Sequence, residues 1–255
     1  MKISTRLRRI AARLPQGCKF ADIGSDHGLL PIYAIKQNIA TSAIAGEVNE
    51  GPLDAARRGV AGSGLQDRIS VRKGNGLAVI TSNEDVDTIT IAGMGGALIA
   101  SILSDGVDKL GGVKRLILQP NMAEEAVRRW LTQHNWLITD EIIIEEDSKI
   151  YEIITADRHE EASKLNEALY APRTLKDGED NIELTSSWLL ELGPLLVETP
   201  NEVFFEKWNS EYKKLLRIYE SILKSSQPED DKALEFKQKA QKLEGILRCL
   251  QKVKP

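Results

Sequence analysis

The sequence predicts an α/β protein: a doubly wound sheet, mostly parallel, ending in an antiparallel C-terminal strand hairpin and followed by an α-helical coiled-coil domain. Three observations carry this. Short β-branched runs alternate with helical patterns through residue 120, the rhythm of a parallel sheet with crossover helices. Two strand-like runs, 137–145 and 149–156, then follow with only residues 146–148 between them. A link that short excludes a parallel crossover and makes the pair antiparallel. Last, Phe205, Trp208, Tyr212, Leu215, Tyr219 and Ile222 recur at alternating spacings of 3 and 4, as do Ala233, Phe236, Ala240, Leu243, Leu247 and Leu250. Those are two helical seams able to face one another.

Taken in order, residues 3–14 pattern as an amphipathic helix, with Leu7, Ile10, Ala11 and Leu14 on one face and arginines on the other. Pro15 and Gly17 end it. Strands are expected at 18–23, 43–48, 69–72, 86–92 and 115–118, with helices at 28–38, after Pro52, and at 122–134. The run 86–92, rich in β-branched residues, reads as a central strand covered on both faces. Residues 157–187 are acidic and without a clear period, and are expected to be a connection with short helices. Residues 188–197 are apolar around Gly193-Pro194 and should dock onto one of the domains. The two C-terminal seams predict an antiparallel hairpin over 203–252, turning at 225–229. Its aromatics, at heptad spacing, are expected to be core rather than base-stacking surfaces. The domain division is expected at 1–160 and 161–255.

With 42% hydrophobic and 28% charged residues among 255, the chain has the composition of a globular protein. No apolar run is long enough to span a bilayer, and residues 1–10 lack the apolar stretch of a signal peptide. Two distant cysteines, Cys18 and Cys249, and three histidines without ligand spacing argue against disulfides and metal sites. A cytoplasmic protein without a metal is the expectation. The net charge of −4 is unevenly spread: residues 1–19 hold six basic groups and no acid, whereas 140–200 hold 16 acidic and 5 basic groups. A local basic surface can meet phosphates even on a mildly acidic protein. A solvated basic helix is the plainer alternative.

The chemistry-bearing segment is FADIGSDHG at residues 20–28. A strand stopping at glycine lets backbone N–H groups approach a ligand closely. Its pattern is D-x-G-x-D-x-G, with a second acid, Glu47, ending the next strand. A dinucleotide site has instead G-x-G-x-x-G, with its acid about 20 residues on. Further motifs fall where the other strands end: GNG at 74–76, AGMGG at 92–96 and QPN at 119–121. Open α/β sheets bind ligands at those carboxyl ends.

This arrangement resembles motifs I and II of the class I S-adenosylmethionine-dependent methyltransferases, whose Rossmann-like sheet also ends in a reversed strand. More specifically, ADIGSDHG (21–28), AGE (45–47), ITIAGMGGA (89–97) and LILQPN (116–121) resemble the bacterial tRNA (adenine(22)-N1)-methyltransferases, the TrmK type. The likeness covers nearly the whole chain, that family also ending in a helical coiled coil. Only residues 157–187 lie outside it.

The resemblance implies S-adenosyl-L-methionine as cofactor and methylation of an adenine N1 in tRNA. It implies that Asp22, Gly24 and Asp26 shape the methionine pocket with His27 beside it, that Glu47 takes the ribose and that Asn75 holds the adenine ring, with Gly76 and Gly93 completing the backbone cradle. Met94 offers an apolar surface beside a flat base. Gln119 and Asn121 can present amides to its edge, or can equally be strand-end caps. Arg6, Arg9 and Arg13 share one helix face and are expected to contact tRNA phosphates. A monomer is expected, a dimer remaining open. Two other readings stay in view: a class I enzyme for another nucleic-acid adenine or a small molecule, and a non-catalytic cofactor-binding assembly module.

Overall fold

The computed structural model describes residues 3–81, 84–177, 180–224 and 230–252. The expected turn at 225–229 lies outside the described residues. The chain divides into two compact units, Met1–Asn166 and Glu167–Pro255.

The first unit is built on a seven-stranded sheet in the order β3-β2-β1-β4-β5-β7-β6. Its strands are β1 (Cys18–Ile23), β2 (Ala40–Glu47), β3 (Ile69–Lys73), β4 (Thr88–Met94), β5 (Arg115–Pro120), β6 (Trp136–Glu146) and β7 (Lys149–Arg158). The first five are parallel, and β7 runs antiparallel to both β5 and β6. Strand order reverses between β1 and β4. There the crossover helices leave toward opposite faces and open a crevice.

Helices α1 (Thr5–Ala11), α2 (Leu29–Lys36) and α3 (Glu50–Gly62) belong to one group, with α2 packed on both others; α4 (Gly96–Asp105) packs on α5 (Glu124–Gln133). Ile10, Leu14, Phe20, Leu30, Ile35 and Val60 share one core cluster with Ile117 and Ile153 of the sheet. Helix α1 is shorter than the 3–14 expected from its pattern. Its first turn is held by an acid of β6 as well as by its own cap. The Ser4 side chain accepts from the Leu7 N–H, and Glu146, at the end of β6, accepts from the backbone N–H groups of Thr5 and Arg6, the latter at 3.0 Å. A carboxylate at a helix N-terminus meets both unpaired donors and the positive end of the dipole.

Between α5 and the β6–β7 hairpin lies a fully buried charge cluster. Arg128 reaches Glu141 of β6 at 2.6 Å and Glu152 of β7 at 2.5 Å, all three groups being removed from solvent.

In the second unit, residues 157–187 correct the expectation of a connection with short helices only. After α6 (Ala162–Leu169), which begins in the first unit, comes an antiparallel pair, β8 (Arg173–Asp177) and β9 (Asp180–Leu184). Each strand is five residues long, too short for its alternation to register, and Leu175–Ile182 is the one position where both partners are apolar, Leu184 facing Arg173. Ile182 lies over Gly245 of α10, where a Cβ would come within 2.6 Å of it. Helices α7 (Ser186–Leu192) and α8 (Pro194–Glu198) form the apolar stretch, broken at Gly193 with φ of 90°. Helices α9 (Glu202–Leu223) and α10 (Asp230–Lys252) pair lengthwise. Tyr212 donates to Glu244 at 3.0 Å and Lys237 lies over the Tyr219 ring. As one number rises the other falls, so the pair is antiparallel. Phe205, Trp208, Leu215, Ala233, Ala240, Leu243, Leu247 and Leu250 are buried, which makes the seam core, while Tyr212, Tyr219, Ile222 and Phe236 are half-buried.

Candidate active site

The crevice at the strand-order reversal opens as a cavity of about 550 Å³ above the carboxyl ends of β1, β2 and β4. Its walls include Arg6, Asp22, Gly24, Asp26, Glu47, Asn75, Gly76, Gly93 and Met94, and an apolar border of Leu29, Val48 and Leu98.

The turn after β1 is built to bring backbone close. Gly24 and Ser25 both donate to the Gly46 carbonyl at 2.9 Å, and Gly24 has φ of 72°. A Cβ there would sit 2.1 Å from the Met94 Cε, so the methionine end lies directly on the glycine. His27 is left-handed at φ of 58° and is the one non-glycine of the turn in that region. Its ring is 58% exposed and lies 3.4 Å from Asp26. The ring thus stands next to Asp26 of the cavity wall, and the residue also serves the turn through its backbone.

Asp22 is 6% exposed, and its Oδ1 accepts from the Thr90 hydroxyl at 2.6 Å across the β1–β4 pair. Burial pushes its carboxyl up to about 6, against the opposing pull of the Thr90 hydroxyl and of the Arg6 charge. A buried carboxylate beside a cavity favours a cation there.

Glu47, 7% exposed, is aimed by its own strand end. Its Oε1 accepts from the N–H groups of Val48 at 2.9 Å and Asn49 at 2.8 Å and from the Asn49 side chain at 3.2 Å. That fixes one oxygen and leaves Oε2 to accept from a ligand's hydroxyl pair. Asn75 is exposed on the cavity wall, and Gly76 follows it with φ of 54°.

Of the two roles open to Gln119, base-edge amide and strand-end cap, its hydrogen bonds show the second. It is wholly buried, its Oε1 accepting from Arg6 Nη1 at 2.6 Å and the Gly93 N–H at 3.1 Å. Its Nε2 donates to the Pro120 carbonyl at 2.8 Å and to Asn121 Oδ1 at 3.1 Å. Both lone pairs and both hydrogens are used, so nothing is left for a base edge. Asn121 differs. It is exposed, donates once to the Gly93 carbonyl at 2.9 Å, and accepts once from Gln119, which leaves one donor and one acceptor. The loops after β4 and β5 are stitched by Asn121 N–H to Met94 O at 2.7 Å and Gly96 N–H to Met122 O at 2.8 Å. Ala123, left-handed at φ of 56°, turns the chain so that Met122 stands 68% exposed.

The arginines of α1 do not form the shared, unneutralised face expected of them. Arg6 turns into the cavity toward Gln119, with its guanidinium 5.3 Å from the centroid of the Tyr151 ring. Arg13 pairs with Asp140 of β6 at 2.6 Å and is 15% exposed. Arg9 is left exposed on the surface. The acid that neutralises Arg13 comes from β6, more than a hundred residues away, where no count over residues 1–19 can find it. Sequence reasoning also missed Thr90, whose signal was a second threonine, after Thr88, in the central strand. Among the described residues no group of acids, histidines and cysteines could hold a metal ion.

The residues present fit S-adenosyl-L-methionine: an acid at a strand end with one free oxygen for a ribose, a buried acid for an ammonium group, and glycines whose missing Cβ atoms make room for the backbone approach. The comparisons agree. Residues 20–245 match the family model described as TrmK, tRNA (adenine(22)-N(1))-methyltransferase. The chain is 43% identical to a Bacillus subtilis (strain 168) protein named tRNA (adenine(22)-N(1))-methyltransferase, over 99% of this chain and 97% of that one. It superposes on the crystal structure of the B. subtilis m1A22 tRNA methyltransferase TrmK with a TM-score of 0.83 at 42% identity, covering 96% of this chain and 99% of that one. A Streptococcus pneumoniae structure in complex with S-adenosyl-L-methionine gives a TM-score of 0.79 at 36% identity over 96% and 100% of the two chains.

Proposed function

The chain belongs to the tRNA (adenine(22)-N(1))-methyltransferase family, and from that membership we infer how its residues divide the work. It is an S-adenosylmethionine-dependent methyltransferase acting on N1 of adenine 22 in tRNA. The carrying observation is the pairing of Asp22 and Glu47 at the ends of neighbouring strands around one cavity. Asp22 would hold the ammonium group of the cofactor, Glu47 its ribose, and Asn75 its adenine, with Gly24, Gly76 and Gly93 as the cradle.

What the cofactor supplies is a methyl group on a sulfonium, already electrophilic. Adenine N1 carries an in-plane lone pair and needs no general base, so the chain has chiefly to align the two atoms at about 3–3.5 Å. N1 lies on the pairing edge, so the nucleotide must be turned out of its stack. Asn121 has one donor and one acceptor to offer, the complement of adenine N7 and N6 on the opposite edge. That grip leaves N1 free. Met94, Leu98 and Met122 give the ring apolar surface. Gln119 positions Asn121 and Gly93 and does not touch the base.

Binding of tRNA phosphates falls to exposed basic groups: Arg9 on α1, Lys213 and Arg217 on one face of α9, and Lys224 at its C-cap. The α9–α10 pair acts as a coiled coil that docks tRNA and takes no part in methyl transfer. Its apolar seam is closed within one chain, which fits a monomer. Cys18 and Cys249 are buried thiols, which fits a reducing cytoplasm.

The test is incubation of the purified chain with labelled S-adenosylmethionine and tRNA, followed by mass spectrometry of nucleosides and mapping of the label. One 1-methyladenosine at position 22, lost when that adenine is replaced, is expected. Label at another base or on the exocyclic amine would overturn the assignment.

A further inference from the structure

Among the described residues Arg6 is the one cation on the cavity wall, and it comes from a helix outside the strand-end motifs. The order of strands fixes what it faces. Glu47 ends β2, Asp22 and Gly24 end β1, Gly93 ends β4 and Gln119 lies near the end of β5, in that sequence across the sheet. If the ribose lies at Glu47, the amino-acid end of the ligand lies toward β4 and β5. Arg6 stands there. Its Nη1 touches Gln119, and a Cβ added to Gly93 would be 3.7 Å from it.

The guanidinium is held on two sides and its helix on a third. Gln119 accepts from Nη1, the Tyr151 ring lies beside it, and the Arg6 backbone N–H is fixed by Glu146 at 3.0 Å. Nε, Nη2 and the second hydrogen of Nη1 have no hydrogen bond among the described residues. A half-buried guanidinium with its fork unfilled is arranged for a planar anion, which it binds through two parallel hydrogen bonds. Asp22 is near enough for Arg6 to lower its proton affinity, yet the two form no ion pair within 4 Å. The two opposite charges are therefore set apart around one cavity.

We propose that Arg6 binds the α-carboxylate of the cofactor's amino-acid end while Asp22 takes the α-ammonium group, so that the two together read its zwitterion. This deepens the cofactor assignment above and rests on it. It also gives α1 a role in the site. Glu146 of β6 seats the helix and Gln119 of β5 steers the side chain, and together they position an arginine that no strand-end motif contains.

The test uses the full chain and binding alone. Titration calorimetry compares S-adenosylhomocysteine with its decarboxylated analogue, which keeps the amine, sulfur and nucleoside. Wild type should prefer the carboxylated ligand by roughly 10- to 100-fold, the range of charge-assisted hydrogen bonds. Arg6→Met keeps an unbranched stem against Tyr151. It should reduce that preference to about 3-fold or less while binding the decarboxylated analogue nearly as well as wild type does. Arg6→Lys, a point charge without the fork, should fall between. Full discrimination retained in Arg6→Met overturns the proposal, as does a wild type that binds both ligands equally; the latter arm holds even if the variant does not fold. If wild type binds neither ligand, the cofactor assignment has failed instead.

Discussion

Asp22 and Thr90 meet across the β1–β4 pair, hydroxyl to carboxylate, at 2.6 Å beneath the cavity. That one hydrogen bond does not compensate the burial of the acid, whose carboxyl is pushed up to about 6 from an ordinary value of 3.8. An acid that holds its proton more tightly folded than unfolded destabilises the fold once ionised. The cost is absent below about pH 4, grows between pH 4 and 6 and is complete above it. Asp22→Asn should therefore stabilise the ligand-free chain by about 1–3 kcal/mol at pH 8 and by almost nothing at pH 4. Urea denaturation at the two pH values checks this, and an equal effect at both would refute it. The same variant should bind S-adenosylhomocysteine more weakly.

Glu47→Ala should weaken S-adenosylhomocysteine by about 1.5–3 kcal/mol, the scale of hydrogen bonds to a charged group. It should also lower stability by about 1 kcal/mol, because the Val48 and Asn49 N–H groups lose their acceptor. Calorimetry and thermal unfolding read the two effects separately. Unchanged affinity would place the ribose elsewhere.

Asn121→Ala should lower kcat for tRNA methylation by roughly 10- to 100-fold, given about 1–3 kcal/mol for a bidentate amide–base contact. Cofactor affinity should stay within about twofold, since Asn121 touches the cavity only through Gly93. Single-turnover kinetics isolate the effect. A rate within twofold of wild type would remove Asn121 from the base pocket.

Arg128→Leu should cost about 3–5 kcal/mol, because it removes the positive charge that Glu141 and Glu152 share in a dry interior. Chemical denaturation provides the measurement, and a loss below about 1 kcal/mol would refute it.

What the sequence made legible was local. Every strand-end motif could be placed because each is a few contiguous residues at the end of an apolar run, and the reversed hairpin followed from a connection too short for a crossover. The heptad seams identified the terminal helices by the same logic. What escaped depended on partners distant in sequence. Gln119 looked available because its four hydrogen-bond partners come from α1, β4 and its own strand end. Arg13 looked free because Asp140 lies on the sixth strand. The strands at 173–184 were invisible because five residues with one apolar pair carry no readable period.

The capping of α1 by Glu146 has a consequence for synthesis. Arg6 and the acid that seats its helix are 140 residues apart. At about 5–20 residues per second, roughly 7–28 s separate the appearance of the arginine from that of its anchor. Through that interval β1, β2 and β4 can already be assembling while the N-terminal arginines remain unseated. The active site is thus finished from the far side, when the β6–β7 hairpin leaves the ribosome and recruits α1.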